Sequence, residues 1–372
     1  MVRLRTHIDR QLALILLAIV VLGLVIFFSA ALGQLARTDQ PITTILFSHL
    51  VLGVGIGTVL LLIAARVPYR LYKKAAPYFY GGSVLLTALT LIPALSLSTK
   101  GASRWLIIGP LSVQPSEFLK IGVIALLAWY LTTYRTKLRD WRYGLGGYLA
   151  ILAVPALLLL KQPDTGTLGV IAFTTLAMFW AAGAQWRQLG ALAAIGIVLL
   201  AGLALVRPYV LERVTTFLHP NANGQTSGYQ IQQSLIAIGS GGITGRGLGQ
   251  GIQKFSYLPE PMSDSIFAVA GEEFGFIGCL VIVGLFAAFA MRGYRIATRT
   301  PDRFGALLAV GIVTYIAGEA FINIGAMLGI LPLTGIPLIF ISHGGSAMLV
   351  ALASAGVLLN ISSAVRHAPG EE

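Results

Sequence analysis

Ten apolar stretches, each about long enough to cross a bilayer, fill most of this chain. They lie at about 11–32, 44–65, 77–97, 114–134, 144–160, 165–184, 189–206, 265–291, 304–330 and 344–365. A helix needs ~20 consecutive apolar residues to cross the hydrocarbon core of a membrane. Membrane β-barrels show short alternating segments instead of long unbroken runs. The sequence therefore predicts an all-α polytopic membrane protein with about ten transmembrane helices.

The distribution of charge predicts how these helices are oriented. Charged residues make up 11% of the chain, against ~25% in soluble proteins. If the N-terminus lies inside, the cytoplasmic connections carry 17 Lys and Arg residues and the outer connections carry eight. Since Lys and Arg concentrate in cytoplasmic loops, both termini are expected in the cytoplasm. The net charge of +12 thus follows mainly from topology, and no nucleic-acid partner is expected.

One connection is much longer than the others and is predicted to be functional. Residues 207–263 separate spans seven and eight on the outer side. Long loops in compact proteins are usually functional or disordered. This one contains an apolar stretch, Ile231 to Ile238, and a glycine-rich stretch, Gly239 to Gly251. We expect it to fold as re-entrant or interfacial helices and to carry part of the active site, within a single transmembrane domain of residues 1–372.

Ionisable residues within or beside the spans are the strongest candidates for function. A charge in hydrocarbon costs at least ~2.5 kcal/mol, so a retained charge needs a partner or a purpose. The residues concerned are Glu117, Lys120, Asp164, Asp264, Glu272, Glu273 and Glu319.

Two of these groups have both a structural and a functional interpretation. Glu117 and Lys120 are three residues apart and share a helix face, so they can pair. The pair either locks span four to a neighbouring helix, or Lys120 faces an outer cavity that accepts an anionic substrate. Asp164 precedes span six and is a plausible N-cap, but it also lies at the outer rim.

The segment from Leu258 to Gly275 ends the long loop and begins span eight. Asp264 is either the N-cap of span eight or a reactive carboxylate. Glu272 lies eight residues further on, ~12 Å deeper and on the same helical stripe. These positions predict an outer cavity lined by carboxylates. After span nine, the Pro- and Gly-broken stretch 331–346 is expected to line a cavity or to be buried in protein.

Seven short blocks in this order resemble the SEDS family (shape, elongation, division and sporulation), which includes FtsW, RodA and SpoVE. The blocks are Arg104-Trp105 with Gln114-Pro115-Ser116-Glu117 and Lys120, Gln162-Pro163-Asp164, Gly228-Tyr229-Gln230, Gly241-Gly242 with Gly245-Arg246-Gly247, Leu258-Pro259-Glu260 with Asp264, Glu272-Glu273-Phe274-Gly275, and Thr334-Gly335-Ile336-Pro337 with Ser342-His343-Gly344-Gly345. The resemblance covers about Arg104 to Ser363, and the 331–363 region looks more like FtsW than RodA. The chain departs from the family at His343, where Tyr is usual, and at Glu319, where Gln is common.

The resemblance implies a peptidoglycan glycosyltransferase that polymerises lipid II for septal wall synthesis and releases undecaprenyl diphosphate. It implies that Asp264 is the catalytic residue. The substrate-binding set is then expected among Glu117, Lys120, Arg104, Asp164, Arg213, Arg246, Lys254, Glu272, Glu273, Ser342 and His343. Either basic residues or a bound divalent cation would neutralise the diphosphate, and the sequence does not choose between them.

Three other functions fit the same pattern: a lipid II flippase, a RodA-type elongation polymerase and a non-catalytic scaffold for a division complex. The expected location is the inner (plasma) membrane, with a multi-pass chain whose active site faces outside. The expected partners are a class B penicillin-binding protein transpeptidase and other divisome membrane proteins. The transpeptidase is expected on spans eight and nine and on the 207–263 loop. Small residues of span nine either allow that contact or pack inside the bundle.

Overall fold

The computed structural model describes residues 8–35, 46–99, 102–108, 111–219 and 227–365. The two terminal segments, whose cytoplasmic position is predicted above, lie outside the described residues. Thirteen helices and three strands form within the described ranges. The helices are α1 Arg10–Leu35, α2 Phe47–Arg66, α3 Tyr69–Leu89, α4 Pro115–Thr133, α5 Arg142–Lys161, α6 Thr165–Ala181, α7 Trp186–Val206, α8 Pro208–Leu218, α9 Ser227–Ser240, α10 Gln253–Ser256, α11 Ile266–Arg299, α12 Arg303–Met327 and α13 Gly345–Ser362. The strands are β1 Ser96–Thr99, β2 Ala102–Ile108 and β3 Leu111–Val113.

The predicted polytopic helical fold is confirmed. Eight of the helices, namely α1, α2, α4, α5, α7, α11, α12 and α13, are long and apolar enough to cross a membrane. Helix α6 is apolar but shorter, with 17 residues. The total of ten crossings stays a prediction.

The predicted third span is wrong in its bounds. Span three was expected at 77–97, whereas α3 covers Tyr69–Leu89, so both ends lie eight residues earlier. Pro68 precedes the helix, and its first turns carry Arg70, Lys73 and Lys74. Because long basic side chains can place their charges at the membrane surface, a cationic stretch can still belong to a spanning helix. A hydropathy pattern omits such a stretch.

The all-α prediction needs one correction, because the connection between α3 and α4 contains a small sheet. Strands β1, β2 and β3 pair antiparallel in that order. Leu106 of β2 pairs with Val113 of β3. The sheet leads directly into α4 and places Arg104 beside the loop between α5 and α6.

Helix α12, which corresponds to span nine, lies at the centre of the bundle. It contacts α4, α6, α11 and α13, and most of its residues are buried. Gly311 packs against Ile124 and Met178, and Gly318 packs against Phe173. The small residues of span nine therefore pack α12 inside the bundle, which is the second of the two alternatives given by the sequence.

The long connection 207–263 folds into helices that pack on the bundle. It contains α8, α9 and α10, and α9 packs against α11 and α12. Its position on the outer side and its re-entrant or interfacial character stay predictions. Asp264 itself lies in the turn that joins this connection to α11.

Candidate functional site

Asp264 lies in a turn whose backbone is fixed by three successive hydrogen bonds. The Met262 carbonyl accepts from the His343 N–H at 2.7 Å, and the Ser263 carbonyl accepts from Ser342 Oγ at 2.5 Å. The Asp264 carbonyl accepts from Asn323 Nδ2 at 2.8 Å. Three consecutive carbonyls are thus held by α12 and by the stretch before α13. Such a frame fixes the position of the half-buried Asp264 side chain before any ligand binds.

The structure does not support Asp264 as the N-cap of α11. The N-cap of α11 is Ser265, which makes no side-chain capping hydrogen bond. Ser265 Oγ instead accepts a hydrogen bond from Gln230 Nε2 of α9 at 2.9 Å. The carboxylate of Asp264 is therefore not the N-cap of α11, and its catalytic role stays a prediction.

Two arginines bring positive charge to the same region. Arg213, on α8, donates from Nη1 to the Thr334 carbonyl at 3.1 Å and lies within electrostatic reach of Asp264 and Asp164. Burial lowers the pKa of Arg213, the nearby Arg104 lowers it further, and the two aspartates act in the opposite direction. Since arginine stays protonated in proteins, Arg213 is a partly desolvated cation close to Asp264.

Asp164 is confirmed as a helix cap. Its carboxylate accepts from the Thr167 N–H at 3.3 Å and from Thr167 Oγ1 at 2.9 Å, at the start of α6. Arg104 Nη1 lies 3.7 Å from Asp164 Oδ1, and the Arg104 guanidinium also donates to the carbonyls of Gln162 and Pro163. Arg104 therefore ties strand β2 to the α5–α6 turn and brings a second cation to the Arg213 region.

The Glu117–Lys120 pair exists, and it has a third member that the sequence spacing did not reveal. Lys120 Nζ lies 2.9 Å from Glu117 Oε2 and 2.7 Å from Glu319 Oε2 of α12. Tyr315 completes the group, with its hydroxyl 3.5 Å from Glu117 and its ring below the Lys120 ammonium. All four side chains are buried. This burial favours the structural interpretation, a lock between α4 and α12, and substrate binding by Glu117 or Lys120 stays a prediction.

A second buried charge cluster joins the 207–263 connection to α1 and α11. Lys254 Nζ lies 2.6 Å from Glu273 Oε1 and donates to Ser29 Oγ at 2.8 Å. The Ser29 hydroxyl lies 2.7 Å from the Glu273 carboxylate. Lys254 is fully buried and Glu273 is 1% exposed. The cluster fixes α10 between two spanning helices, and its charges are already neutralised by each other.

Glu272 holds the glycine-rich stretch at a break in α11. Its carboxylate accepts from the N–H groups of Ile252 and Gln253 at 2.9 and 3.1 Å, and Arg246 Nε lies 3.8 Å away. Helix α11 is interrupted at Gly275, whose φ of 63° requires glycine, and the N–H groups of Arg246 and Gly247 donate to the carbonyls of residues 272 and 273. The glycine-rich stretch therefore caps a helix break inside the bundle.

The predicted cavity lined by Asp264 and the deeper glutamates is wrong. Glu272 and Glu273 are each 1% exposed and bind α10 and the residues around it. Asp264 precedes the helix rather than standing on its stripe, so the eight-residue spacing does not align the carboxylates. Of the acids in this segment, Asp264 is the one that reaches the Arg213 region.

Ser342 and His343 contact the Asp264 turn through the polypeptide backbone. Ser342 Oγ bridges the Leu338 N–H and the Ser263 carbonyl. The His343 ring faces Phe27 and lies 6.1 Å from the ring of His49. The Pro- and Gly-broken stretch is thus buried in protein, as one of the two sequence alternatives states, and its residues position the turn. Direct substrate contact by Ser342 or His343 stays a prediction.

Two positioning residues were not identified from the sequence. Asn323 donates to the carbonyls of Asp264 and Ile336 from a side chain that is 1% exposed, and Gln230 holds Ser265. An amide in an apolar span, four residues after Glu319 and on its helix face, was the available signal for Asn323. Gln230 lies in one of the family-like blocks, but nothing in its spacing indicates its partner.

A divalent cation at this site would depend on its substrate. Within the described ranges, no group of three or more His, Cys, Asp and Glu side chains is arranged to hold a metal ion. The carboxylates near the two arginines are those of Asp264 and Asp164. Magnesium is often held by one or two carboxylates together with substrate phosphates. Metal dependence therefore stays a prediction for the substrate-bound state.

Comparison with known sequences shows which family the chain matches. A family model described as "Cell cycle protein", covering FtsW, RodA and SpoVE, matches residues 9–367. The chain is 38% identical to stage V sporulation protein E of Bacillus subtilis over 365 residues, which is 98% of this chain and 99% of that protein. It is also 38% identical to a probable peptidoglycan glycosyltransferase FtsW of Halothiobacillus neapolitanus, over 95% of this chain and 86% of that protein.

Solved structures share the fold. A chain of a peptidoglycan synthase complex, described as coordinating polymerization and crosslinking, matches with a TM-score of 0.77 and 28% identity over 95% of this chain and 97% of that chain. The rod shape determining protein RodA of Thermus thermophilus matches with a TM-score of 0.71 and 28% identity over 98% of this chain and 99% of that chain. These similarities extend over nearly the whole length of each chain.

Proposed function

The chain belongs to the family of FtsW, RodA and SpoVE, and from this premise we propose that it is a peptidoglycan glycosyltransferase that polymerises lipid II. The observation that carries the proposal is the Asp264 turn. A half-buried carboxylate lies within electrostatic reach of Arg213, in a turn whose three main-chain carbonyls accept hydrogen bonds from Asn323, Ser342 and His343. The curated FtsW relatives are named probable peptidoglycan glycosyltransferases. The reaction elongates a glycan strand and releases undecaprenyl diphosphate.

Asp264 acts as the general base. The 4-hydroxyl of the acceptor sugar attacks C1 of the donor, and the Asp264 carboxylate takes the hydroxyl proton. The C1–O bond to the diphosphate breaks as the new bond forms, so the configuration at C1 inverts from α to β. A positioned general base contributes ~10²–10⁴-fold to such a reaction. The backbone frame around residues 262–264 supports this role because it holds the base still.

Arg213 and Arg104 stabilise the leaving diphosphate. Both are partly buried, both lie near Asp164, and Arg213 also lies near Asp264. Preorganised positive charge in a site with little water is commonly the largest catalytic contribution. Lys120 and Lys254 are less suitable, since each is buried and bound to a carboxylate. Arg246 is drawn to Glu272 beside the break in α11.

The biological role that we propose is septal wall synthesis in cell division. The curated relatives named FtsW share 37–38% identity with the chain, and stage V sporulation protein E shares 38%. These names, together with the FtsW-like 331–363 region, support a division role over an elongation role. The pairing of the buried charges with each other favours a polymerase over a lipid II flippase, since a transport path needs groups that a passing headgroup can reach. We place the protein in the inner (plasma) membrane with the Asp264 side outside.

The test is an assay of the purified full-length protein in liposomes that contain fluorescent lipid II. A polymerase converts lipid II into long glycan strands that lysozyme digests, and releases one undecaprenyl diphosphate for each linkage. Asp264→Asn is the test variant, and Asp302→Asn is its matched control. Asp302 caps α12 at the other end of the bundle, and Asn retains that cap. Transfer of intact lipid II between leaflets without strand formation would contradict the proposal and support the flippase.

We also propose that the protein works with a class B penicillin-binding protein transpeptidase. The similar chain of known structure belongs to a complex in which polymerization and crosslinking are coordinated. Because α12 is buried, the contact is proposed for the exposed apolar face of α11, which contains Phe276, Ile277, Leu280 and Val281. Other divisome membrane proteins are expected around the same assembly.

Cysteine cross-linking in cells tests this contact. The native Cys279 lies on α11, so it is first replaced by Ala to give a background without cysteine. Leu280→Cys and Phe276→Cys should then cross-link to the single transmembrane helix of the transpeptidase. Ala309→Cys on α12 is the control, since this position is fully buried. Cross-links from other helices, with none from α11, would contradict the proposed contact.

A further inference from the structure

A large apolar cavity lies between five helices, away from the Asp264 site. It has a volume of about 410 Å³ and is lined by residues of α2, α3, α4, α12 and α13. Of the seventeen lining side chains, only Tyr72 and Ser354 carry a polar group. The Ser354 hydroxyl already donates to the Val350 carbonyl at 2.7 Å. The volume lies within the ~300–1,000 Å³ typical of ligand pockets.

The cavity opens on an apolar face of the bundle, which we expect to face lipid. Ile63 and Phe79 line it and are 51% and 42% exposed, so a hydrocarbon chain can enter sideways between α2 and α3. Close packing is the normal state of a protein interior, and an empty apolar space of this size forfeits dispersion contacts. A chain from the surrounding lipid would restore those contacts.

Four cations lie near the α2–α3 turn, toward which one end of the cavity extends. Arg66 ends α2, and Arg70, Lys73 and Lys74 lie in the first turns of α3, beside the lining residue Tyr72. None of these four cations forms an ion pair with the residues that the structure describes. The sequence has no Asp or Glu between Asp39 and Glu117. The facing carboxylate of Asp302 is occupied as the cap of α12.

The helix start adds to this charge. Helix α3 has no acidic residue in its first turn and no side-chain cap. Its N-terminus therefore presents partial positive charge beside the four cations. The count of Lys and Arg assigns this side of the bundle to the cytoplasm, where anionic lipids concentrate and basic pockets between helices bind lipid headgroups.

We propose that this cavity is a binding site for an anionic phospholipid of the cytoplasmic leaflet. One acyl chain fills the space between α2, α3 and α13, and the phosphate lies against Arg66, Arg70 and Lys73. The Tyr72 hydroxyl, at the boundary between the two parts, donates to an ester or phosphate oxygen. The lipid bridges the α2–α3 turn and the inner end of α13.

Native mass spectrometry of the full-length protein in detergent tests the proposal. Phosphatidylglycerol and phosphatidylethanolamine with identical acyl chains are added separately. The wild-type protein should retain one phosphatidylglycerol at least about tenfold better than phosphatidylethanolamine. Equal retention of the two lipids would overturn the assignment to an anionic headgroup, and this comparison requires no variant.

Two variants separate the headgroup from the chain. R66Q/R70Q/K73Q should reduce retention of phosphatidylglycerol to the level of phosphatidylethanolamine. A75L/A353L, which fills the cavity from two sides, should reduce retention of both lipids. R135Q/K137Q/R139Q is the matched control, because it removes three exposed cations from the next connection on the same side and should bind like wild type.

Unchanged retention of phosphatidylglycerol by either the headgroup variant or the cavity variant would overturn the site. Displacement of phosphatidylglycerol by uncharged undecaprenol would assign the cavity to an isoprenoid chain and would also overturn the proposal. None of these measurements uses lipid II, so their failure leaves the proposed glycosyltransferase function untouched.

Discussion

The surroundings of two carboxylates differ: Glu319 belongs to α12, whereas Asp264 lies in a turn that α12 contacts. Glu319 is fully buried and lies 2.7 Å from Lys120, in a group that also contains Glu117 and Tyr315. Asp264 is half-buried, and it is the backbone around it that is held, by Asn323, Ser342 and His343. Glu319 is thus retained to join helices, whereas we propose that Asp264 is retained to react. The difference lies in whether the partners enclose the side chain or leave it accessible.

Removing Lys120 should have the largest effect on stability. Lys120→Ala leaves two carboxylates close together without a counter-charge, and an uncompensated buried charge costs roughly 3–5 kcal/mol. Thermal unfolding of the purified protein measures the loss. Because Glu319 is a second partner, the matched control is the triple change Glu117→Gln, Lys120→Met and Glu319→Gln, which removes all the charge. Equal loss of Tm in the two variants, or no loss in either, would contradict the interpretation as a helix lock.

Removing Lys254 should have a somewhat smaller effect. Lys254→Ala leaves one buried carboxylate, Glu273, which keeps the hydrogen bond from Ser29. We expect a loss toward the lower end of the same range, ~3 kcal/mol, in thermal unfolding. Lys254→Met with Glu273→Gln should recover part of it. A Lys254→Ala variant with normal Tm but no polymer formation would show instead that Lys254 binds the diphosphate.

Replacing Arg213 should affect the reaction more than the fold. Arg213→Gln removes a cation beside Asp264 and should lower kcat for polymerisation by about 10²-fold. The change in Tm should be small, since one hydrogen bond to the Thr334 carbonyl is lost. Arg246→Gln is the control on the same outer connection, because Arg246 lies beside Glu272. Equal activities of the two variants would remove Arg213 from the site.

Asn323 should show the smallest effect, and it tests the frame itself. Asn323→Ala leaves the carbonyls of Asp264 and Ile336 without their donor, at a cost of ~1–3 kcal/mol. Asn360→Ala is the matched control at the other end of the bundle. It also removes a buried amide, which donates to the Ala65 carbonyl and accepts from the Tyr69 N–H. If the frame positions the base, Asn323→Ala lowers kcat at equal Tm loss. A kcat that falls equally in both variants would reduce Asn323 to a structural role.

The sequence predicted most of the helices because hydropathy reports the membrane directly. It also predicted that Glu117 and Lys120 pair, since a spacing of three residues fixes neighbours on one helix. It did not reveal that Glu319 joins them, because that contact joins α4 to α12 across nearly 200 residues. The bounds of α3 failed for a different reason: its first turns are cationic, and hydropathy alone assigns cations to loops.

The site was predicted in part. Asp264 was identified through its resemblance to a family position, and the structure adds the backbone hydrogen bonds that hold it. The expected stripe of carboxylates failed because Asp264 precedes α11 and because α11 breaks at Gly275. Lys254 was expected among the substrate-binding residues of the long loop, whereas α10 buries it against α1 and Glu273. Such tertiary contacts of an outer loop have no local signature in a single sequence.

We propose that Asp264 is needed for the chemistry and not for the fold. Asp264→Asn keeps the size of the side chain but removes its charge and basicity. Strand formation from lipid II and thermal unfolding are measured on the same preparation, with Asp302→Asn as the control. We expect Asp264→Asn to lower the polymerisation rate at least about 10²-fold with an unchanged Tm. Asp302→Asn should keep the wild-type rate and Tm. Polymerisation by Asp264→Asn at a rate near wild type would contradict the proposal.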